Sequence, residues 1–446
     1  MAKKKHKEKY DLVKTLRPMA FPGEYEELTK SLYIKACKGS QALWDRIDNL
    51  NVLKENKELR EKFYRSANQG MMSAQDEIIS IIQGEDKLAF SKLLLLRGIA
   101  DAIAWQLLGS QLAYARRFYK SKPQPSLYNS NFESVVLAVK ELAKQTPDAA
   151  ILISDLTSFI QVGDLLICDP EKGITISEVK EGSMNAKIGD FMKFYMQSQC
   201  DRVLYYFGQQ EGEHAVKQLQ RMFRQADRMN HVSTVLQTGK GVDPDTNQHI
   251  NISEPFFIMD SWDSRLVKAL DIANEKGWAL DVIDNCLFIG VYASEYMRTG
   301  GHILFNSWFD EMGGTPECPR ALLIDCMRNP LALPIFSRNI PDEYKFDVLF
   351  GRKQVCIGIC IELLLDECKK VGLSVRFATN KERGQLDKTG NRPYRHKGNA
   401  IFIGNGSVEF VLLDGIFLRA MFHGQSPISV IQAILKSSEE NAEQNI

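Results

Sequence analysis

The chain has 446 residues, too many for one small core, and with 44% apolar and 25% charged residues it has a globular composition. Its 56 basic residues balance 56 acidic ones, which excludes a globally basic nucleic-acid binder and leaves that role to local patches. Nine scattered cysteines without a Cys-x-x-Cys pair argue against a disulfide framework or a zinc site and for a reducing, cytoplasmic setting. The charged start Met1–Lys7 has no apolar segment behind it and does not read as a signal peptide. No run reaches the roughly 20 apolar residues of a membrane span, so no membrane partner is expected.

From about Pro22 to Tyr119 the chain reads as helical, and residues 1–125 form a mostly helical N-terminal region. The clearest stretch is Lys87–Tyr119, where Leu93, Leu96, Ile99, Ala100, Ile103 and Leu107 recur at helical spacing. Trp105 reads as a packing residue; Asp101 on the same apolar stretch has no explanation in the sequence. The segment Ser121–Ser126, with Pro123 and Pro125, breaks the pattern and marks a boundary.

A second unit, residues 126–240, opens with Asn131 as an N-cap and an amphipathic helix over Phe132–Gln145. Residues 149–153 read as a short strand or a helix end. Two apolar strands follow, Val162–Cys168 and Ile174–Lys180, joined by the turn Asp169–Gly173. Helices are expected over Lys187–Gln209 and His214–Asn230, giving a mixed α/β unit.

Residues 241–446 read as a third, mixed α/β domain of unknown role. Asp243–Gln248 is a turn cluster. Strands are expected at Phe256–Met259, Cys286–Tyr292, Ala321–Asp325, Val355–Ile359, Leu373–Ala378, Ala400–Ile403 and Val408–Leu413, and helices at Asp263–Lys276, Ile361–Val371 and Ile428–Ser437. Gly404–Gly406 reads as a hairpin turn and Lys381–Lys397 as an exposed basic loop. Cys356 and Cys360 read as packed core residues. No P-loop or Gly-x-Gly-x-x-Gly motif occurs.

The chemistry concentrates in the second unit. Side chains alternate along a strand, so Glu178 and Lys180 share a face, and the hairpin brings Asp164 beside them. A lone acid in the run Val162–Cys168 calls for a cationic partner if that strand is buried. Two carboxylates and an ammonium converging on one spot have the chemistry of a divalent-metal hydrolysis site, with the Val179 carbonyl as a further ligand. Lysine beside such a site can orient or deprotonate water and offset developing charge. Read as ordinary structure, Asp164 would cap a turn and Glu178–Lys180 would be a surface pair.

Gly163-Asp164 followed, 14 positions after the acid, by Glu178-Val179-Lys180 resembles the PD-(D/E)XK nuclease superfamily over residues 129–239. The resemblance implies a restriction-endonuclease-like αβββαβ core with Asp164 and Glu178 as metal ligands and Lys180 assisting the water. It also implies a further acid on the preceding helix, for which Glu133 is the candidate. A Gln and a Tyr on the helix after the lysine are represented by Gln199 (or Gln197) and Tyr205, whose spacing does not match the family's cleanly. The resemblance implies a metal-dependent nuclease with Mg²⁺ or Mn²⁺ as cofactor, acting on DNA rather than RNA. It suggests bacterial DNA processing or defence against phage as the setting.

Beside this hairpin, Arg221, Arg224 and Arg228 recur at spacings of three and four, so they line one helical face that could contact phosphates. A solvated surface explains that face equally well. Tyr195, Tyr205 and Tyr206 offer rings for base stacking or for packing. Alternative functions are a catalytically inactive binding or assembly module and an RNA-cleaving effector. A homo-oligomer or a partner protein stays open.

Overall fold

The computed structural model describes residues 16–45, 52, 55–128, 132–170, 172–180, 183–198, 200–243, 249–252, 259–388 and 393–443. The N-terminal Lys/His cluster, the Asn131 cap, Gln199, the turn at 244–248 and most of the strand expected at 256–259 lie outside the described residues.

The N-terminal region is helical, as its periodicity predicts. Its main elements are α1 (Glu26–Lys38), α2 (Lys57–Gly84), α3 (Phe90–Leu107) and α4 (Leu112–Phe118). Helix α2 starts at Asn56, whose side chain accepts the Leu59 N–H at 3.0 Å. Helices α1 and α2 approach closely because Gly70 has no side chain: a Cβ there would lie 2.4 Å from the Lys35 carbonyl oxygen. Every residue of α3 from Gly98 to Trp105 is buried, so its apolar character serves the core. No single helix among the described residues is long and apolar enough to cross a membrane. Asp101 now has its explanation: it accepts the Ser158 N–H at 2.7 Å, and burial pushes its carboxyl up to about 7.

The second unit is mixed α/β. Helix α5 (Phe132–Gln145) precedes β1 (Ala150–Ile153), β2 (Leu165–Asp169) and β3 (Gly173–Ser177). The strands form an antiparallel sheet in the order β1-β2-β3, with Ile153 opposite Leu165 and Leu165 opposite Ser177. Helices α6 (Ser183–Ser198) and α7 (Asp201–Thr238) follow. The break expected between residues 209 and 214 is a kink inside α7 at Gly212, which has φ +87°; a further break separates α6 from α7.

The sequence of elements thus follows αβββα, but the fourth strand of the expected core is not in this sheet. The strand after the helices, β4 (Lys240–Val242), instead pairs with β5 (His249–Asn251) in a two-stranded sheet of its own. The outer edge of β1 is already occupied. Gln75 of α2 donates to the Ile151 carbonyl and accepts the Ile153 N–H, both at 2.8 Å. A side-chain amide there satisfies the backbone groups that an added strand would use.

The C-terminal region contains α8 (Asp263–Lys276), β6 (Trp278–Ile283), β7 (Leu287–Tyr292), α9 (Glu295–Glu311), β8 (Arg320–Leu322), α10 (Asp342–Leu349), β9 (Gln354–Ile359) and α11 (Ile361–Lys370). It continues with β10 (Ser374–Phe377), α12 (Asn380–Lys388), β11 (Arg395–His396), β12 (Asn399–Gly404), β13 (Glu409–Val411), α13 (Asp414–Phe422) and α14 (Pro427–Glu443). One antiparallel sheet has the order β6-β7-β9-β8; in the other, β12 pairs with β10, β11 and β13. The strand expected over Ala321–Asp325 stops at Leu322, where Asp325 accepts the Leu322 N–H at 2.9 Å and turns the chain into a 3-10 helix. Strand β6 and helices α9, α10 and α13 were not expected.

The loop expected over Lys381–Lys397 is largely regular: α12 fills its first half and β11 lies near its end. Thr379-Asn-Lys-Glu382 is a reciprocal capping box, with Glu382 accepting the Thr379 N–H at 2.7 Å and Thr379 Oγ1 accepting the Glu382 N–H at 3.3 Å.

The three regions drawn in the sequence share one hydrophobic core. Trp105 of α3 packs 5.3 Å from Phe159 after β1 and 5.1 Å from His423 after α13. Tyr33 of α1 lies 5.8 Å from Phe336.

Candidate active site

The turn into β2 demands glycine. Gly163 has φ +75°, and a Cβ there would meet Ile176 Cγ2 at 2.3 Å. Asp164 therefore stands one residue before β2, not inside the strand as expected. Its N–H donates to the Ser177 carbonyl at 2.8 Å, and its carbonyl accepts the Ser154 N–H at 2.9 Å. Asp164 is thus held by the ends of both neighbouring strands.

Glu178, Val179 and Lys180 follow the last residue of β3. The Val179 N–H donates to Asp164 Oδ2 at 2.7 Å. Lys180 Nζ donates to Glu178 Oε1 at 2.7 Å. Gln225 of α7 closes the group: it donates to Glu178 Oε1 at 2.9 Å and accepts from Lys180 Nζ at 3.1 Å. The Glu178 side chain is 17% exposed and that of Lys180 30%; Glu178 lines a cleft, and Lys180 stands beside it on Glu178 and Gln225.

That cleft has a volume of about 400 Å³. Asp155, Asp164 and Glu178 contribute its acids, and Arg221, Gln225 and Met229 of α7 form one wall. The opposite wall is the proline-containing segment that the sequence marked as a boundary, with Lys120 and Lys122. It is fastened there: Gln124 donates to the carbonyls of Thr157 at 3.0 Å and Ile160 at 2.9 Å, and the Lys120 N–H donates to Gln161 Oε1 at 2.6 Å.

Burial pushes the Asp164 carboxyl up to about 6, and the charges of Glu178 and Asp155 add to the effect; the Val179 N–H opposes it. Acids that raise one another's proton affinity in a cleft mark a place where a cation is favoured. Asp164 Oδ1 and Glu178 Oε2 accept no hydrogen bond among the described residues. No group of three His, Cys, Asp or Glu side chains among the described residues is arranged to hold a metal ion. Two open carboxylates suit Mg²⁺, which keeps several waters and takes one or two protein carboxylates.

Of the residues singled out in the sequence, the structure brings together Asp164, Glu178, Val179, Lys180 and Arg221. Glu133 stays apart: it is exposed on the first turn of α5 and does not line the cleft. Arg224 is also exposed and outside the lining, its Nε donating to the Gln220 carbonyl at 3.3 Å. Arg228 faces Arg117, whose pKa its charge helps to lower after burial and against the attraction of Asp243. The arginine stripe therefore splits, because spacing of four from Arg221 leads to Gln225 and Met229 instead. Gln197 and Tyr205 are exposed on α6 and α7.

Sequence reasoning missed Asp155, Gln225, Lys120 and Lys122. Asp155 carried a usable signal, since it comes two residues after the apolar run Ala150–Ile153, as an acid just past a strand end. Gln225 had none beyond its four-residue step from Arg221.

Comparison with protein-family models, with curated proteins and with solved structures gives no match.

Proposed function

We propose that this cleft is the active site of a metal-dependent nuclease of the PD-(D/E)XK type, cutting phosphodiester bonds in DNA. The observation that carries the reading is the convergence of Asp164 and Glu178, each with one open carboxylate oxygen, beside the Lys180 ammonium. Bound Mg²⁺ or Mn²⁺ would neutralise phosphate charge and activate water. The residues to hold it are Asp164 and Glu178, with Asp155 near enough to add its charge and the Val179 carbonyl as a further candidate. Gln225 holds Lys180 Nζ and Glu178 Oε1 in register, so the lysine can orient a water and exchange a proton at Nζ. Lys120, Lys122 and Arg221 rim the cleft with positive charge suited to a phosphate backbone. The three-stranded sheet, with α5 packed on β1 and α7 on β3, supports the restriction-endonuclease-like core, and the position of β4 counts against its last strand. The test is cleavage of single- and double-stranded DNA and of RNA with and without Mg²⁺ or Mn²⁺. Loss of metal-dependent cleavage of DNA in Glu178→Ala supports the reading, and unchanged cleavage in that variant overturns it.

The lack of a three-ligand group among the described residues favours a second reading, a catalytically silent nuclease-like binding module. Calorimetric titration with Mn²⁺ separates the two, because a module without a metal site gives no heat that depends on Asp164.

A further inference from the structure

Strands β8 and β9 run antiparallel, with Arg320 opposite Gly358, Ala321 opposite Ile357 and Leu322 opposite Cys356. One step beyond, the Ile359 N–H donates to the Pro319 carbonyl at 3.0 Å. The next step of the same register sets Cys318 opposite Cys360. Hydrogen-bonded and non-hydrogen-bonded pairs alternate along an antiparallel ladder, and Pro319/Ile359 is the first kind, so the register continued just past the ends of both strands makes Cys318/Cys360 the second; there the Cys318 N–H turns back to the Thr315 carbonyl at 3.0 Å. In an unbroken ladder the second kind brings the Cα atoms to about 4.5 Å with the side chains closest, within the roughly 4.4–6.8 Å spanned by disulfides.

The side chains agree with the register. The Cys360 thiol lies against the Cys318 sulfur and 3.4 Å from the Gly313 carbonyl. Cys318 Sγ is 3.4 Å from both the N–H and the hydroxyl of Thr315. These donors, the Cys360 thiol foremost, pull the Cys318 thiol well below its ordinary range against the effect of burial. Elsewhere burial alone leads, pushing the thiols of Cys326 and Cys368 up to about 12. All nine cysteines are free thiols in this structure.

We propose that Cys318 and Cys360 form a reversible dithiol–disulfide pair that a hydroperoxide oxidises. The Cys318 thiolate attacks a peroxide oxygen; the O–O bond breaks and the departing oxygen leaves, with a proton, as water or an alcohol. Cys318 is then a sulfenic acid. The Cys360 sulfur attacks it, the S–S bond forms, and the sulfenic oxygen leaves as water with the Cys360 proton. Two thiols have lost two electrons and two protons, and the peroxide has been reduced.

Both thiols are buried, next to a residue that reaches solvent. Glu317 beside Cys318 has a side chain 48% exposed, and it is held by Tyr394 Oη donating to its carbonyl and the Lys397 N–H donating to Oε2, both at 2.7 Å. Local opening of those two bonds admits a molecule as small as hydrogen peroxide. The bridge would close β8, α10 and β9 into one loop. It lies on a different sheet from the cleft and depends on none of the cleft's chemistry.

The test treats the reduced full-length protein with stoichiometric hydrogen peroxide, alkylates the remaining thiols and maps the peptides by mass spectrometry. The expected product is a Cys318–Cys360 linked peptide lacking two hydrogens, reversed by dithiothreitol, with the other seven cysteines alkylated. In Cys360→Ser, dimedone should trap a sulfenic acid at Cys318, and Cys318→Ser should give neither product. Cys356→Ser, on the same strand, should keep the linkage. Alkylation of both Cys318 and Cys360 in peroxide-treated wild type, or a bridge between any other pair, overturns the proposal. The wild-type map decides even if a serine variant fails to fold.

Discussion

The backbone N–H of Val179 donates to the carboxylate of Asp164 at 2.7 Å, which ties the end of β3 to the turn that enters β2. Because Glu178 is the residue before that amide, the bond also fixes where the second carboxylate points. It leaves one oxygen of Asp164 open toward the cleft.

Asp164→Asn and Glu178→Gln should each lower metal-dependent cleavage by about 10²–10⁴-fold, the range of losses typical for groups that manage proton transfer and charge at a reacting centre. Asp164→Asn should melt no lower than wild type near neutral pH, because it removes a carboxylate that its burial and its acidic neighbours disfavour. Nuclease assays paired with thermal melts check both; a large fall in melting temperature for Asp164→Asn contradicts the expectation.

Asp155 and Glu133 separate the structure from the sequence. Asp155→Ala should weaken Mn²⁺ binding and cleavage by about 10-fold or more, as removal of a residue supporting a metal site does. Glu133→Ala should change cleavage by less than about two-fold, since its side chain is exposed outside the cleft. Metal titration and initial rates on the two variants side by side give the comparison.

His423 should make the fold acid-sensitive. It is buried, its Nε2 lies 3.0 Å from the Leu331 carbonyl, and burial, with the charges of Arg419 and Arg338, pushes its pKa down to about 3. The unfolded chain binds this proton near pH 6.5 and the folded protein does not. The stability it contributes is therefore full above about pH 6.5 and is lost as pH falls toward about 3, with a slope approaching about 1.4 kcal/mol per pH unit. Urea melts at pH 7.5 and pH 5 measure it, and His423→Gln should flatten that dependence.

Asp263 and Arg338 hold α8 to the end of α13. The Arg338 side chain is fully buried; it donates to Asp263, and to the Phe422 carbonyl at 3.2 Å, and lies 4.6 Å over the Trp262 ring. Asp263→Ala leaves a buried guanidinium without its carboxylate and should cost about 3–5 kcal/mol. Chemical denaturation of that variant, compared with the double variant Asp263→Ala/Arg338→Met, checks the size and the cause, because the double variant leaves neither charge stranded.

Much of the fold was legible in local pattern. The helix over Asp263–Lys276 and the strands at β7 and β9 needed only periodicity and punctuation to be found. Helix α9 was hidden by Gly300 and Gly301 at its centre, although Ser294 caps it by accepting the Met297 N–H at 3.4 Å. Helix α13 was hidden by being buried along most of its length, which erases the helical stripe. The basic composition of Lys381–Lys397 concealed its capping box.

By itself the sequence determined the hairpin and the acid–acid–lysine order, because alternating apolar runs around a turn are local signals; it ran the strands through Asp164 and Lys180, whereas β2 starts at Leu165 after the left-handed Gly163 and β3 stops at Ser177. Only the tertiary structure decided which other residues join them. Asp155 enters because β1 pairs beside β2, Gln225 because α7 packs across the strand ends, and Lys120 and Lys122 because two glutamine side chains fasten a proline-containing segment to the cleft. In the same way Gln75 of α2, 76 residues before Ile151, takes the outer edge of β1. Those contacts join residues far apart in sequence, and no local pattern of charge or hydrophobicity encodes which distant surface a helix will meet.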